Sequence, residues 1–239
     1  MLNHLNIENL LFLDIETVPA EKHFSDLDDD WKHLWEDKSK WYREKEEAGL
    51  EESYERAGIY AEFGKIVCIS VGFIRQKQGE RILRVTSFYG HDEVKLLQEF
   101  CNLLNSHFDM PHHLLCAHNG KEFDFPYIAR RLVINSLPLP DALDIAGKKP
   151  WEIRHLDTME LWKFGDYKAY TGLKLLTKVF GIPTPKDDID GSQVGQVYWE
   201  DGDVDRIERY CKKDVVALTQ LLLKYRGEQL LEEHQIIEV

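Results

Sequence analysis

The feature that most limits what this chain can fold into is the run Leu10-Leu11-Phe12-Leu13-Asp14-Ile15-Glu16, ending at Thr17-Val18-Pro19. Apolar residues occupy both alternating faces, which predicts a strand buried on two sides. Two acids interrupt it. Successive strand side chains point to opposite faces, so Asp14 and Glu16, two apart, share one. Carboxylates among Phe12, Leu13 and Ile15 are costly to desolvate unless a positive charge neutralises them. No Lys or Arg lies near in sequence, so a divalent cation is one source of that charge. The ordinary alternative is a strand end that is simply solvated.

The rest of the chain supplies cover for such a strand. Residues 20–58 are charged and rich in tryptophan. Trp31, Leu34, Trp35, Lys38 and Tyr42 fall at helical spacing there, which predicts one or two amphipathic helices inserted after the first strand. β-rich runs at 65–74 and 81–89, joined by the polar stretch Arg75-Gln76-Lys77-Gln78-Gly79-Glu80, predict a hairpin. A helix with Val94, Leu97, Phe100, Cys101 and Leu104 on one face follows, then a short strand at 113–117. Another helix opens at Phe125-Pro126, proline suiting a first turn. Residues 135–150 read as a surface loop and 155–158 as a short strand. Helices are expected at 173–180, stopped by Gly181, at 194–199, and over a long final stretch capped by Asp203 or Asp205 and reaching about Arg226. This order predicts an α/β fold, a mixed sheet flanked by helices, as one domain over 1–239 with the insertion at about 20–58. It does not determine the strand order.

Further acids fall where ligands gather. Asp124 sits between a buried strand and a helix, a position where α/β proteins place binding groups and where an Asp also caps helices. Tyr210 and Asp214, four apart, share the apolar stripe of the last helix with Ile207, Cys211, Val215 and Leu218. An Asp in that stripe calls for a partner, and Lys212 or Lys213 is the ordinary candidate. Three separate segments thus bring acids toward one sheet edge. Hard oxygen ligands select Mg²⁺ or Mn²⁺ over zinc, and two such ions ~4 Å apart can activate a water and stabilise a leaving oxygen.

At these residues the sequence resembles the DEDD (DnaQ-like) superfamily of 3′–5′ exonucleases, with the RNase H-like fold. Asp14-Ile15-Glu16-Thr17 matches the first motif, Asn119-Gly120-Lys121-Glu122-Phe123-Asp124 the second and Tyr210-Cys211-Lys212-Lys213-Asp214 the third. Arg209 stands where the histidine subgroup carries His, which indicates the tyrosine subgroup. The chain is similar to stand-alone bacterial proteins that resemble the proofreading exonuclease domain of family-B DNA polymerases. The resemblance implies that Asp14 bridges two divalent cations, Mg²⁺ or Mn²⁺. Glu16 and Asp214 would complete the water-activating site, Asp124 would serve the second ion largely through water, and Tyr210 would orient the attacking water. Asn119 would shape the second-motif loop beside the terminal nucleotide, and Thr17 and Phe123 would contact its sugar or base. The 3′–5′ polarity is implied by the resemblance alone, and so are single-stranded DNA 3′ ends as substrate, with RNA as the variant, and a polymerase or repair partner.

The formal net charge is −13, from 43 acids against 30 Lys plus Arg, which argues against broad binding to polyanions but leaves room for a local basic patch. It also makes any single Asp-x-Glu uninformative, so the weight rests on the three motifs together. No apolar run approaches the roughly 18 residues of a membrane helix, and Met1-Leu2-Asn3-His4-Leu5-Asn6 shows no signal-peptide pattern. Four scattered cysteines, Cys68, Cys101, Cys116 and Cys211, suit a reducing cytoplasm rather than zinc or disulfides.

Other features have plainer expectations. Trp31, Trp35 and Trp41 are expected to pack on the domain rather than stack on bases. Arg130-Arg131 and Lys148-Lys149 are phosphate candidates that more often are solvated surface. His118 is expected to be structural and Asp157 a turn residue, with a supporting role at the site as the alternative. Asp187-Asp188-Ile189-Asp190-Gly191 lacks calcium-loop spacing and reads as a turn. A catalytically silent adaptor of the same fold is the competing function, and the intact acids and tyrosine speak against it.

Overall fold

The computed structural model describes residues 2, 4–77, 79–108, 112–166, 168–183 and 189–239. The expected turn residue Gln78 and the acids Asp187 and Asp188 lie outside them. β1 (Leu10–Pro19) is third in a sheet of six strands among the described residues, ordered β5-β4-β1-β2-β3-β6. It pairs antiparallel with β2 (Gly64–Lys77) and parallel with β4 (Leu114–Ala117). β3 (Glu80–Tyr89) completes the expected hairpin with β2. The outer strands are β5 (Leu156–Asp157), parallel to β4, and β6 (Ile236–Glu238), parallel to β3.

The alternation of β1 explains its composition. Leu11, Leu13 and Ile15 face a core with Leu97 and Phe100 of α3 (Glu93–His107) and Phe125 and Ile128 of α4 (Asp124–Ile134). Leu10 and Phe12 face the other way and pack with Val215, Leu218 and Leu222 of the long helix α8 (Val204–Arg226), which Asp203 caps through the Arg206 N–H. Val18 joins a second cluster on the α8 side with Cys68, Ile207 and Cys211. Asp14 and Glu16 share that face and fall between the two apolar clusters.

Two irregularities shape the end of β1. Its ladder with β4 runs from Leu10↔Leu114 to Phe12↔Cys116 and stops, so that from Leu13 onward this side of β1 has no described strand partner. On the other side, the register with β2 jumps from Glu16↔Cys68 to Thr17↔Ile66, leaving Val67 as an extra residue. Such a bulge re-aims side chains, and here the consecutive Val67 and Cys68 both enter the α8-side cluster.

Between β1 and β2 lie α1 (Asp29–Glu46), capped by Asp28 on the Trp31 N–H at 2.9 Å, and α2 (Leu50–Tyr54). Their core is Trp35, packed with Leu27, Tyr54 and Phe63, its indole N–H donating to Ser53 Oγ at 3.1 Å. Packing does not extend to Trp41, which is 75% exposed with the Lys45 ammonium across its ring. Six residues from Trp35 places it roughly 120° around the helix. The chain returns at Gly58, which approaches β1 so closely that a β-carbon would sit 2.9 Å from the Val18 carbonyl carbon; glycine avoids that clash.

A buried ion pair fastens the return. Arg131 of α4 donates to both oxygens of Glu93, at 2.8 and 2.6 Å, and to the Ala61 carbonyl at 2.8 Å. Glu93 also accepts the Ile66 N–H of β2 at 2.7 Å. Arg131 is therefore committed inside the protein, not to phosphates, while Arg130 is exposed. The remaining elements are α5 (Thr158–Lys163), α6 (Leu173–Phe180) and α7 (Val194–Gln196). The helix expected at 194–199 is α7 running into a π-helical turn, Val197–Asp201. No helix of the described residues is long and apolar enough to cross a membrane.

Candidate active site

α8 lays Tyr210, Cys211 and Asp214 against the stretch of β1 that carries Asp14 and Glu16. Tyr210 and Asp214 are one turn apart, so both face the strand, and the Tyr210 phenol hydrogen-bonds the Asp214 carboxylate. The Cys211 thiol donates to Asp14, with Sγ 3.4 Å from Oδ2 and 3.4 Å from the main-chain carbonyl. Of the ordinary partners expected for Asp214, Lys212 is engaged elsewhere, 2.5 Å from Glu208 and 3.2 Å from Glu238.

Burial holds the Asp14 carboxyl well above the usual range, and the charges of Glu16, Asp214 and Asp124 push it further; the Cys211 hydrogen bond opposes them. Glu16, 8% exposed, is raised first by burial and then by Asp214, Cys68 and Asp124. Burial also lifts the Tyr210 phenol far above its ordinary value, with Asp214, Glu16 and Asp14 adding to it. No lysine or arginine is among the neighbours that govern Asp14, Glu16 or Asp124. Opposed carboxylates of this kind are what a hard divalent cation stabilises, so the donor set fits one.

Asp124 reaches the cluster from the other side of β1. It is the first residue of α4, and Phe123 at the N-cap makes no side-chain cap. Its carboxyl, 3% exposed, is pushed up by burial to about 7; Asp157 adds to this, while the N–H groups of Asp124 itself and of Ile15 hold it down. The Ile15 N–H is available because the β1–β4 ladder has already ended.

The loop before Asp124 is held by Asp157, which is more than a turn residue. Its carboxylate accepts the N–H of Asn119 at 3.0 Å and of Lys121 at 3.1 Å, and caps α5 through Met159 at 2.9 Å and Glu160 at 3.2 Å. Asn119 takes a left-handed conformation, φ 64°, one Asn tolerates better than most residues. A β-carbon at Gly120 would meet that of Ala117 at 2.3 Å. His118 is structural, with Nδ1 2.8 Å from Thr158 Oγ1 and Nε2 2.9 Å from the Thr171 carbonyl. Phe123 packs on Tyr127 with ring centroids 5.3 Å apart. The Thr17 hydroxyl bonds the same Tyr127 phenol, so Thr17 and Phe123 gather around one residue beside the carboxylates.

Sequence reasoning missed Tyr127, Cys68 and Cys211. Cys211 carried one signal, its place inside the Tyr-x-x-x-Asp turn. Tyr127 carried none, because its phenol is fixed by the Gly58 carbonyl 69 residues away, at 2.7 Å.

Comparison with known proteins adds to this geometry. A family described as "Predicted 3'-5' exonuclease related to the exonuclease domain of PolB" matches residues 59–234. That stretch holds Asn119, Asp124, Tyr210 and Asp214; Asp14 and Glu16 precede it. No curated protein matches the chain. Among solved structures, the family B DNA polymerase of the hyperthermophilic archaeon Pyrobaculum calidifontis is similar at TM-score 0.56 and 15% identity, over 90% of this chain and 24% of that one. Exonuclease I of E. coli, in complex with a dT13 oligonucleotide, is similar at TM-score 0.44 and 14% identity, over 91% of this chain and 41% of that one. The chain thus spans less than half the length of either. The polymerase likeness bears on the fold: a mixed sheet flanked by helices, RNase H-like, as expected.

Proposed function

Because the chain belongs to the family of predicted 3′–5′ exonucleases related to the exonuclease domain of PolB, we propose that it shortens single-stranded DNA from the 3′ end by two-metal phosphodiester hydrolysis. Exonuclease domains of this kind use divalent metal ions. The observation that carries the reading is the convergence of carboxylates from β1, α4 and α8. Asp14, Glu16 and Asp124 all stand above their ordinary pKa range with no basic side chain among the groups that govern them.

Asp14, Glu16, Asp124 and Asp214 would hold the cations. Bound Mg²⁺ or Mn²⁺ would supply an activated water and neutralise charge on the leaving oxygen. Asp14, whose carboxyl feels the charges of Glu16, Asp214 and Asp124, would be the shared ligand, with Glu16 and Asp214 completing the holding set for one ion and Asp124 that for the second. Tyr210 stays protonated near neutral pH, since burial and three carboxylates hold its proton on. It therefore orients a water by hydrogen bonding rather than removing its proton. Thr17 and Phe123 receive the terminal nucleotide, the Phe123 ring offering a face to an unpaired base, and Asn119 shapes the loop beside them.

The test is a gel assay on 5′-labelled single-stranded DNA and RNA of one sequence, with Mg²⁺, Mn²⁺ or EDTA. The expected result is a ladder of DNA shortening from the 3′ end, lost in EDTA and in Asp14→Ala. Preferential loss of RNA would replace the substrate, and intact polymers under every metal would overturn the reading.

A further inference from the structure

Where the inserted helices meet the end of α4 there is a cavity of about 570 Å³, and none of the carboxylates assigned to hydrolysis lines it. Its size is that of ordinary ligand sites, roughly 300–1,000 Å³. Its walls are apolar, with Leu27 and Trp31 from the insertion, Phe63 from the chain's return and Ile134 from α4. Trp31 and Phe63 meet at 80° with ring centroids 5.3 Å apart, which makes a corner rather than a stack. Phe63 is buried, whereas Trp31 is 41% and Ile134 50% exposed, so the mouth of the cavity is apolar too. Leu34, three residues past Trp31 and also exposed, continues that margin along the same face of α1.

Exposed carboxylates ring this apolar space, those of Glu21, Asp26, Asp28 and Glu62. The charges of Glu21 and Asp26 both reach the Tyr54 phenol, which lines the cavity and which burial already raises. Arg131 is the one cation lining it among the described residues, and Glu93 and the Ala61 carbonyl hold its guanidinium. Negative potential at the mouth repels phosphate, so the strand being shortened is not the occupant. We propose that this cavity docks a partner protein through a short basic segment, which seats an apolar side chain between Trp31 and Ile134 and pairs a flanking arginine or lysine with Glu21 and Glu62. The aromatic corner favours arginine, whose guanidinium stacks on ring faces. The net charge of −13 draws such a segment in from a distance. Docking there requires no nuclease chemistry.

The probe is acetyl-Leu-Arg-Leu-amide, titrated into the full chain in EDTA. Binding is followed by the indole N–H resonance of Trp31, identified as the one missing from Trp31→Phe. A saturable shift is expected, weakening as salt is added. Glycine in place of both leucines should weaken binding about 10-fold or more. Glu21→Lys with Glu62→Lys should weaken the arginine peptide about 10-fold or more, since like charges then face each other. Glu21→Gln with Glu62→Gln, checked with the lysine variant by circular dichroism, covers the case in which charge reversal disturbs the fold. The proposal is overturned if the peptide leaves the resonance unmoved, if glutamate in place of its arginine binds as well, or if both folded variants bind like the wild type. Three further results would overturn it by supplying another occupant. Spermine binding as tightly as the peptide would make the cavity a site for small polycations. Oligodeoxythymidine shifting the resonance would join it to the substrate groove. A resonance that moves with protein concentration alone would give it to a second copy of the chain.

Discussion

Asp157 holds Asn119 through a 3.0 Å hydrogen bond from the Asn119 backbone N–H, and with Lys121 at 3.1 Å it clamps the loop that delivers Asp124. The carboxylate is 3% exposed and accepts four N–H groups in all. Asp157→Asn keeps the size but turns an amide donor toward donors. The expected result is a loss of about 1–3 kcal/mol in unfolding free energy and about 10- to 100-fold in turnover, the cost of losing a group that orients metal ligands. Full turnover in the folded variant would assign Asp157 to α5 alone.

The raised carboxyls give the metal-free protein an unusual pH response. Asp124 stands at about 7 and Asp14 and Glu16 well above their ordinary values when folded, against roughly 4 in the unfolded chain. Between these limits the folded state binds more protons, so the slope of stability with pH is negative for these groups. The Asp124 contribution is present at low pH and lost as pH rises from about 4 through about 7, and those of Asp14 and Glu16 are lost as pH rises through their own raised values. In EDTA, Asp14→Asn should therefore raise the thermal midpoint at neutral pH and flatten its pH dependence, and saturating Mn²⁺ should raise the wild-type midpoint instead. A neutral-pH midpoint in EDTA that Asp14→Asn leaves unmoved would show the repulsion to be absent.

Tyr210→Phe isolates the phenol. The ring stays and the hydroxyl beside Asp214 goes, so folding should be nearly unaffected. Turnover should fall about 10- to 100-fold, the rate equivalent of one hydrogen bond to a charged group. The pH–rate profile separates the roles, because a phenol that only orients water leaves its shape unchanged, whereas loss of an ionisation limb in the variant would identify Tyr210 as the base.

Glu93 and Arg131 offer a test of folding remote from chemistry. Arg131→Met leaves Glu93 buried without its guanidinium and should cost about 3–5 kcal/mol in denaturant unfolding. The double variant Glu93→Gln, Arg131→Met removes the stranded charge and should recover part of that loss. A single variant as stable as the wild type would mean that water enters and solvates Glu93.

β1 was legible from its apolar run, whereas Asp14 and Glu16 fit a solvated strand end equally well until α4 and α8 bring further acids to them. The hairpin and α8 were legible from unbroken patterns, the cap of α8 only as Asp203 or Asp205, of which the fold uses Asp203. β5, α5 and β6 hold two, six and three residues, too few for a period to register, and only α5 and β6 went unseen. The clamp at Asp157 joins residues 36 and 38 positions apart, and sequence spacing cannot show such a bond. For Asp124, a cap and a site residue look alike in sequence. What distinguishes them is where the β1–β4 ladder ends, which is a property of pairing. Trp41 departs from the packing that helical spacing predicts for Trp31, Trp35 and Trp41, because its place around α1 turns it away from Trp35.

The brevity of the outer strands has its own consequence. A sheet edge with unpaired N–H and C=O groups is a template on which other molecules can add strands. Here β6 pairs with Leu83, Arg84 and Val85 in the middle of the long β3, and carries Glu238, bound to Lys212 at 3.2 Å. The opposite border is the two-residue β5. By occupying the middle of the β3 edge, the short strand β6 works against edge-to-edge self-association at high concentration, although it touches none of the chemistry.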